Sequence, residues 1–214
     1  MIRRSLLSVT AALVLLSVSC SAQETMGCAD RSAINDFNAT LYMGKWYEYA
    51  KMGSMPYEEG GVCVTAEYSM SSNNITVVNS MKDNTTHEVN TTTGWAEFAS
   101  ELHTDGKLNV HFPNSPSVGN YWILSTDYDN YSIVWSCVKR PGMAASTEIS
   151  WILLRSRNSS NMTLERVEDE LKNLQLDLNK YTKTEQSAKY CAGAGHMMGA
   201  MLSVAIASLF ALLH

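Results

Sequence analysis

Eight short apolar or alternating runs, spaced by turn-forming residues and followed by one amphipathic stretch, constrain this 214-residue chain more than any other feature. They lie near Lys45–Met52, Val62–Met70, Asn74–Met81, Glu88–Ala99, Lys107–Phe112, Asn120–Asp127, Tyr131–Val138 and Ile149–Ser156. Val64, Ala66, Tyr68 and Met70 share one face, as do Leu108, Val110 and Phe112, and Ile149, Trp151 and Leu153. Successive strand side chains point to opposite faces, so a period of two marks a sheet with one buried side. Ser71-Ser72-Asn73, Asp105-Gly106 and Asp129-Asn130 supply turns at hairpin spacing. Beyond the last run, Leu164, Val167, Leu171 and Leu174 recur at helical spacing behind Thr163, a candidate N-cap. Glu165 favours the positive end of that helix dipole. The pattern predicts an all-β fold: an eight-stranded antiparallel up-and-down barrel, with no exposed sheet edge and one C-terminal helix packed outside it. A sandwich of two sheets satisfies the strand pattern nearly as well.

The two ends are addresses rather than fold. Residues 1–22 read as a secretory signal peptide, with basic Arg3 and Arg4, an apolar stretch from Leu6 to Leu16, and the small-residue cleavage site Cys20-Ser21-Ala22. A lipoprotein signal ending at Cys20 is the alternative, and Ser17-Val18-Ser19 matches it poorly. At the other end, Met197 to Leu213 is an uncharged apolar run of 17 residues preceded by Ala192-Gly193-Ala194-Gly195. Small residues, a spacer and an apolar tail make 192–214 a GPI-anchor signal, with Ala192, Gly193 and Ala194 as candidate attachment residues. A membrane-spanning helix is the alternative, at the short limit for crossing a bilayer. The expected location is the outer face of the cell membrane, reached through the secretory pathway.

Residues 23–191 form the domain between. With 16 basic against 21 acidic residues the chain carries a net charge of −5, and Arg3 and Arg4 leave with the leader, so no nucleic-acid partner is expected. Four cysteines remain: Cys28, Cys63, Cys137 and Cys191. An even number behind a signal peptide implies two disulfides, with three connectivities open. Seven sequons, at Asn38, Asn74, Asn84, Asn90, Asn130, Asn158 and Asn161, mark surface positions for carbohydrate. His87, His103 and His111 are scattered on polar runs, without metal-ligand spacing or a nucleophile elbow. No catalytic residue, metal or cofactor is therefore assigned, and a non-enzyme is expected.

Three segments narrow the fold. They are Gly44-Lys45-Trp46-Tyr47-Glu48 in the first run, Thr126-Asp127-Tyr128-Asp129-Asn130-Tyr131 between the sixth and seventh, and Trp151-Ile152-Leu153-Leu154-Arg155 in the eighth. One indole can fill the narrow end of a small barrel. Trp151, Leu153 and Arg155 share a strand face, so Arg155 can point inward and lie over the Trp46 ring, a contact worth ~0.5–2 kcal/mol. In this order the segments resemble the G-x-W, T-D-Y and Arg signature of the lipocalin family, over about Cys28 to Cys191. The similarity is nearest the apolipoprotein D-like branch, which has a GPI-linked member. The resemblance implies that Gly44, Trp46, Thr126, Asp127, Tyr128 and Arg155 close one end of a barrel. It also implies disulfides Cys28–Cys137 and Cys63–Cys191, and a cavity for a small lipophile (fatty acid, sterol, retinoid or bilin) faced by Tyr68 and Trp151. Two features depart from that branch. No thiol stands near Lys139, which argues against a disulfide-linked partner. The stretch 112–120 lacks the Met and large apolar residues found there, which puts hydroperoxide reduction and loop insertion into lipid particles in doubt.

The leading expectation is an extracellular, membrane-tethered carrier that transports or presents a small hydrophobic ligand. A GPI-linked recognition glycoprotein, with a cell-surface receptor as partner, is the second. A lipocalin-type isomerase is the third; it needs a free thiolate inside the barrel, and two disulfides leave none.

Overall fold

The computed structural model describes residues 27–53, 58–72, 74–113, 115–138 and 146–192. Residues 1–22, expected to be a signal peptide, and Gly193, Ala194 and the apolar run from Met197 lie outside the described residues. The elements in chain order are α1 (Ala39–Tyr42), β1 (Gly44–Met52), β2 (Gly61–Ser71), β3 (Asn74–Asp83), β4 (Val89–Phe98), β5 (Lys107–His111), β6 (Gly119–Thr126), β7 (Tyr131–Val138), β8 (Thr147–Leu154), α2 (Asn161–Asn173), a 3-10 turn (Leu178–Lys180), β9 (Thr182–Lys183) and α3 (Ala188–Cys191).

Consecutive strands from β2 to β8 pair antiparallel, and β1 pairs with both β2 and β8. That double pairing closes the barrel and excludes the sandwich. The alternating strand directions sort the connections into two ends. Ser72, the turns at 99–106 and 127–130, α1 and the residues after β8 gather at what we call the plug end. The last residues of β1, β3, β5 and β7 and the first residues of β2, β4, β6 and β8 gather at the mouth end.

Alternation divides the side chains between two cores. The inner core holds Trp46, Tyr42, Ile75, Leu108, Ile123 and Val134. The outer core lies under α2, where Val167 and Leu171 pack with Ile133, Trp135, Ile152 and Leu154. Val167 and Leu171 are almost fully buried, which stabilises the docked helix by about 1.5–3 kcal/mol each. Two expectations need correction. The N-cap of α2 is Ser160, whose Oγ accepts the Thr163 amide at 3.2 Å; the helix starts at Asn161, so Thr163 lies inside its first turn. Met70 is not in the interior: it is 50% exposed, because its strand runs on past the plug to the β2–β3 turn.

The C-terminal strap has no periodic signature. β1 and β2 pair only over Gly44–Tyr47 and Thr65–Tyr68, which leaves backbone groups nearer the mouth without a ladder partner. Residues 182–186 supply partners there. β9 pairs with Ala50 and Lys51 of β1, the Thr184 amide donates to the Tyr49 carbonyl at 2.9 Å, and the Cys63 amide donates to the Glu185 carbonyl at 2.8 Å. Gln186 Nε2 spans the gap, donating to the carbonyls of Glu48 (3.0 Å) and Val64 (2.7 Å). The disulfides are Cys28–Cys137 and Cys63–Cys191, as the family resemblance implies.

Glu48 is buried beneath this strap, accepts a hydrogen bond from the Thr184 hydroxyl, and lies 4.0 Å from Lys51 Nζ, which itself pairs with Glu58 at 2.9 Å. Burial first, and the Glu58 charge second, push the Glu48 carboxyl from 4.5 up to about 7. The folded state thus holds the proton more tightly than the unfolded chain, so stability is greatest below about pH 4.5 for this group and falls as pH rises through about 7. Glu48→Gln is expected to remove that decline, so that urea midpoints at pH 5 and pH 8 draw together. An unchanged difference between the two midpoints would clear Glu48 of the effect.

Candidate ligand-binding interior

The plug is built from chain segments far apart in sequence. Trp46, fully buried in β1, donates from Nε1 to the Tyr42 carbonyl at 2.9 Å, and the two rings lie 5.1 Å apart. The Arg155 guanidinium carbon sits 3.7 Å from the centroid of the Trp46 ring. Its nitrogens serve the neighbouring backbone: Nε donates to the Tyr128 carbonyl (2.9 Å), Nη1 to Lys45 (3.1 Å), and Nη2 to Leu41 (3.0 Å) and Tyr42 (3.3 Å). One cation thereby ties α1, β1 and the β6–β7 turn together. Gly44 has φ +91°, a conformation open to glycine, as the chain enters β1 from α1.

The β6–β7 turn presents its carbonyl to Arg155 because Thr126 and Asp127 fold it tightly. Thr126 Oγ1 donates to the Tyr131 carbonyl at 2.6 Å and accepts the Tyr128 amide at 3.0 Å. Asp127 Oδ1 accepts the amides of Asn130 (2.8 Å) and Tyr131 (3.0 Å). Burial works against the Asp127 charge, but these hydrogen bonds outweigh it and hold the carboxyl below its usual range. Tyr128 adopts φ 67°, and its hydroxyl accepts the Asn38 amide at 3.1 Å. The six expected closing residues thus meet at one end.

Above the plug runs a row of hydroxyls. The oxygen of Tyr68 is 2.8 Å from that of Tyr121, which is 3.0 Å from that of Tyr42, which is 3.0 Å from Ser132 Oγ. Burial raises the phenol of Tyr42 to about 12 and that of Tyr121 well above its ordinary value, so both stay neutral and keep a proton to share. Tyr68, expected to face a ligand, is therefore part of the floor, buried beside Tyr42 and the plug. Trp151 lies one layer nearer the mouth, its ring stacked 6.5 Å from Tyr121. Tyr121 joins the two and was not foreseen: Tyr121-Trp122-Ile123-Leu124 is continuously apolar, so alternation does not say which residues point in.

Toward the mouth the inward face opens. On β3 and β4 it passes from buried Ile75, Val77 and Ala96 to partly exposed Asn79 and Met81 and exposed Thr92 and Asn90. On β8, Trp151 is partly exposed, whereas its strand neighbours Ser150 and Ile152 are fully buried on the helix side. Two hollows are formed among the described residues: about 340 Å³ at the mouth end between the strap and Lys51, Glu58 and Gly60, and about 190 Å³ between α2 and β1. All seven sequon asparagines are exposed; Asn90 shares the inward side of β4 at the tip of its hairpin. Ala192 is exposed at the end of α3. Among the described residues no helix is long and apolar enough to cross a membrane.

A closed eight-stranded barrel, plugged by Trp and Arg at one end, with an apolar and phenolic interior and a helix docked outside, is a lipocalin. The model of the lipocalin / cytosolic fatty-acid binding protein family matches residues 43–188, and the chain belongs to that family. It is 96% identical, over the full length of both chains, to the Lazarillo protein of Schistocerca americana. It is 32% identical to apolipoprotein D of Cavia porcellus over 160 residues, 75% of this chain and 82% of that one. Among solved structures it resembles insecticyanin of the tobacco hornworm Manduca sexta, with a TM-score of 0.68 and 31% identity over 77% of this chain and 88% of the other.

Proposed function

We propose that this protein is an extracellular carrier, tethered to the outer leaflet by a GPI anchor, that holds a small hydrophobic molecule in its barrel and transports or presents it. The observation that carries the reading is Trp151: a large inward aromatic that keeps exposed surface, although Ile149 and Leu153, on either side of it along the same strand face, are buried. A side chain that merely filled a solid core would be as buried as its neighbours. The apolar wall suits a fatty acid, sterol, retinoid or bilin, and the hydroxyls of Tyr68 and Tyr121 offer a polar group to orient it. Two disulfides support an oxidising, extracellular setting. Both use up the cysteines of the domain, so the thiolate that an isomerase of this fold would need has no source.

Mass spectrometry of lipophiles extracted from protein purified from its native membrane is expected to recover one apolar molecule in stoichiometric amount. Trp151→Ala is expected to weaken binding of a fluorescent fatty-acid probe on the order of tenfold, the equivalent of about 1.4 kcal/mol. An empty interior together with an unbound probe would sink the carrier reading. Recognition by a cell-surface receptor is the second reading, favoured by seven exposed sequons. A form truncated after Cys191 separates the two: a carrier keeps its ligand in the medium, whereas a surface-recognition role is lost with the tether.

A further inference from the structure

The last described residues are clamped at one particular end of the barrel. Cys191 is bonded to Cys63, with their Cα atoms 5.5 Å apart, at the start of β2. Lys82 Nζ, near the end of β3, donates to the Tyr190 carbonyl at 2.9 Å, and the Cys63 amide holds the Glu185 carbonyl. From Cys63, β2 runs away to Tyr68, which pairs with Gly44 beside the plug. Five residues of strand separate the two, roughly 17 Å at about 3.3 Å per residue. Cys191 therefore stands at the mouth end, and the chain beyond it departs from beside the mouth.

The leash beyond Cys191 is short. An anchor on Ala192, Gly193 or Ala194 attaches within three residues of the disulfide. If the apolar run from Met197 is itself embedded, five residues intervene. Either leash spans at most about 10–20 Å of extended chain. The 11 residues of β2 alone are about 36 Å long. A barrel pinned at one rim by a leash shorter than itself does not turn freely. The glycan of an anchor lifts the rim from the headgroups but leaves the point of attachment unchanged.

We propose that the Cys63–Cys191 clamp makes the barrel mouth a lipid-facing surface, directed at the bilayer so that ligand passes between the outer leaflet and the interior. The proposal rests on the tethered-carrier reading above. The sequons agree with it. Asn38, Asn74, Asn130, Asn158 and Asn161 surround the plug end, where bulky carbohydrate points away from the membrane. Asn84 and Asn90 are confined to the β3–β4 hairpin, so the rest of the rim carries no sequon among the described residues.

The test uses the full chain on cultured cells, with a click-reactive residue replacing either Val118, exposed at the mouth end, or Leu102, exposed at the plug end. Each is coupled to a donor dye, and energy transfer to an acceptor dye in the outer leaflet is measured. Transfer from position 118 is expected to exceed that from position 102 severalfold. Equal transfer, or the reverse order, overturns the proposal. A flexible Gly/Ser insert of about 20 residues between Cys191 and Ala192, with a mean reach of about 25 Å, is expected to erase the difference while ligand binding persists. A difference that survives the insert also overturns it, because the short leash would not be its cause. Protein recovered only from the medium is a separate result: it removes the tether, and the orientation with it.

Discussion

Trp46→Ala is expected to destabilise the protein by about 3–5 kcal/mol, the usual cost of truncating a buried large aromatic. A small domain commonly has only about 5–15 kcal/mol in total. Three losses combine. The indole is fully buried, so its removal opens a void at the floor of the barrel. The hydrogen bond to the Tyr42 carbonyl goes with it. The Arg155 guanidinium loses the ring beneath it, yet it still has to satisfy the carbonyls of Tyr128, Lys45, Leu41 and Tyr42. Arg155→Lys keeps the charge but not the planar fork, so it is expected to loosen α1 and the β6–β7 turn while leaving Trp46 in place. The pair should couple: the double variant is expected to cost less than the sum of Trp46→Ala and Arg155→Ala by about 0.5–2 kcal/mol, the worth of the stacked contact. Equilibrium unfolding in urea checks both statements. A loss below about 1 kcal/mol for Trp46→Ala, which is ordinary for a surface change, would deny the plug its structural role.

The second large effect is expected from Cys63→Ser with Cys191→Ser. The bridge closes 128 residues of chain, and a loop slightly longer than 100 residues corresponds to about 4–5 kcal/mol of lost unfolded-state entropy in the chain-entropy view. The structure adds a local consequence. The strap at 182–186 is held by hydrogen bonds to Glu48, Tyr49, Cys63 and Val64 and has little buried apolar surface of its own. Without the disulfide its last residues are no longer fixed at the mouth. Exchange of the Thr184 amide and of the amide at position 63 is therefore expected to quicken well before exchange in the inner core. Removing Cys28–Cys137, which closes a comparable 109 residues, should cost similar stability but leave those two amides protected. Equal protection in both double variants would show that the strap holds itself.

Much of the fold is legible from local pattern. Leu108 and Val110, or Ile149, Trp151 and Leu153, do face inward together, because the alternation of a strand is a property of the backbone and needs no knowledge of its neighbours. The helix stripe is legible for the same reason: Val167 and Leu171 are the residues buried against the barrel. The plug is legible because Gly44, Trp46 and Arg155 belong to a recognisable spaced signature. Legibility fails where the period slips. Register shifts between Val62 and Thr65, between Glu48 and Ala50, and between Ile123 and Ser125 each exchange inward for outward along part of a strand. That exchange hides Tyr121 among equally apolar neighbours and leaves Glu48 buried next to an outward-facing Ala50.

The amino-acid sequence alone determined the eight strands of the barrel, where the late helix lies, which residues are available to seal one end, and that every cysteine of the domain has a partner. These come from periodicity, composition and motif, which act over a few residues at a time. Only the tertiary structure decided that β1 bonds to both neighbours and closes the barrel, that a strap without periodicity mends the gap between β1 and β2, that Tyr68 belongs to the floor, and that Cys191 stands at the mouth. Each of these is a meeting of segments far apart in the chain. Such meetings are fixed by closure, register and the need to satisfy buried backbone groups rather than by any local preference.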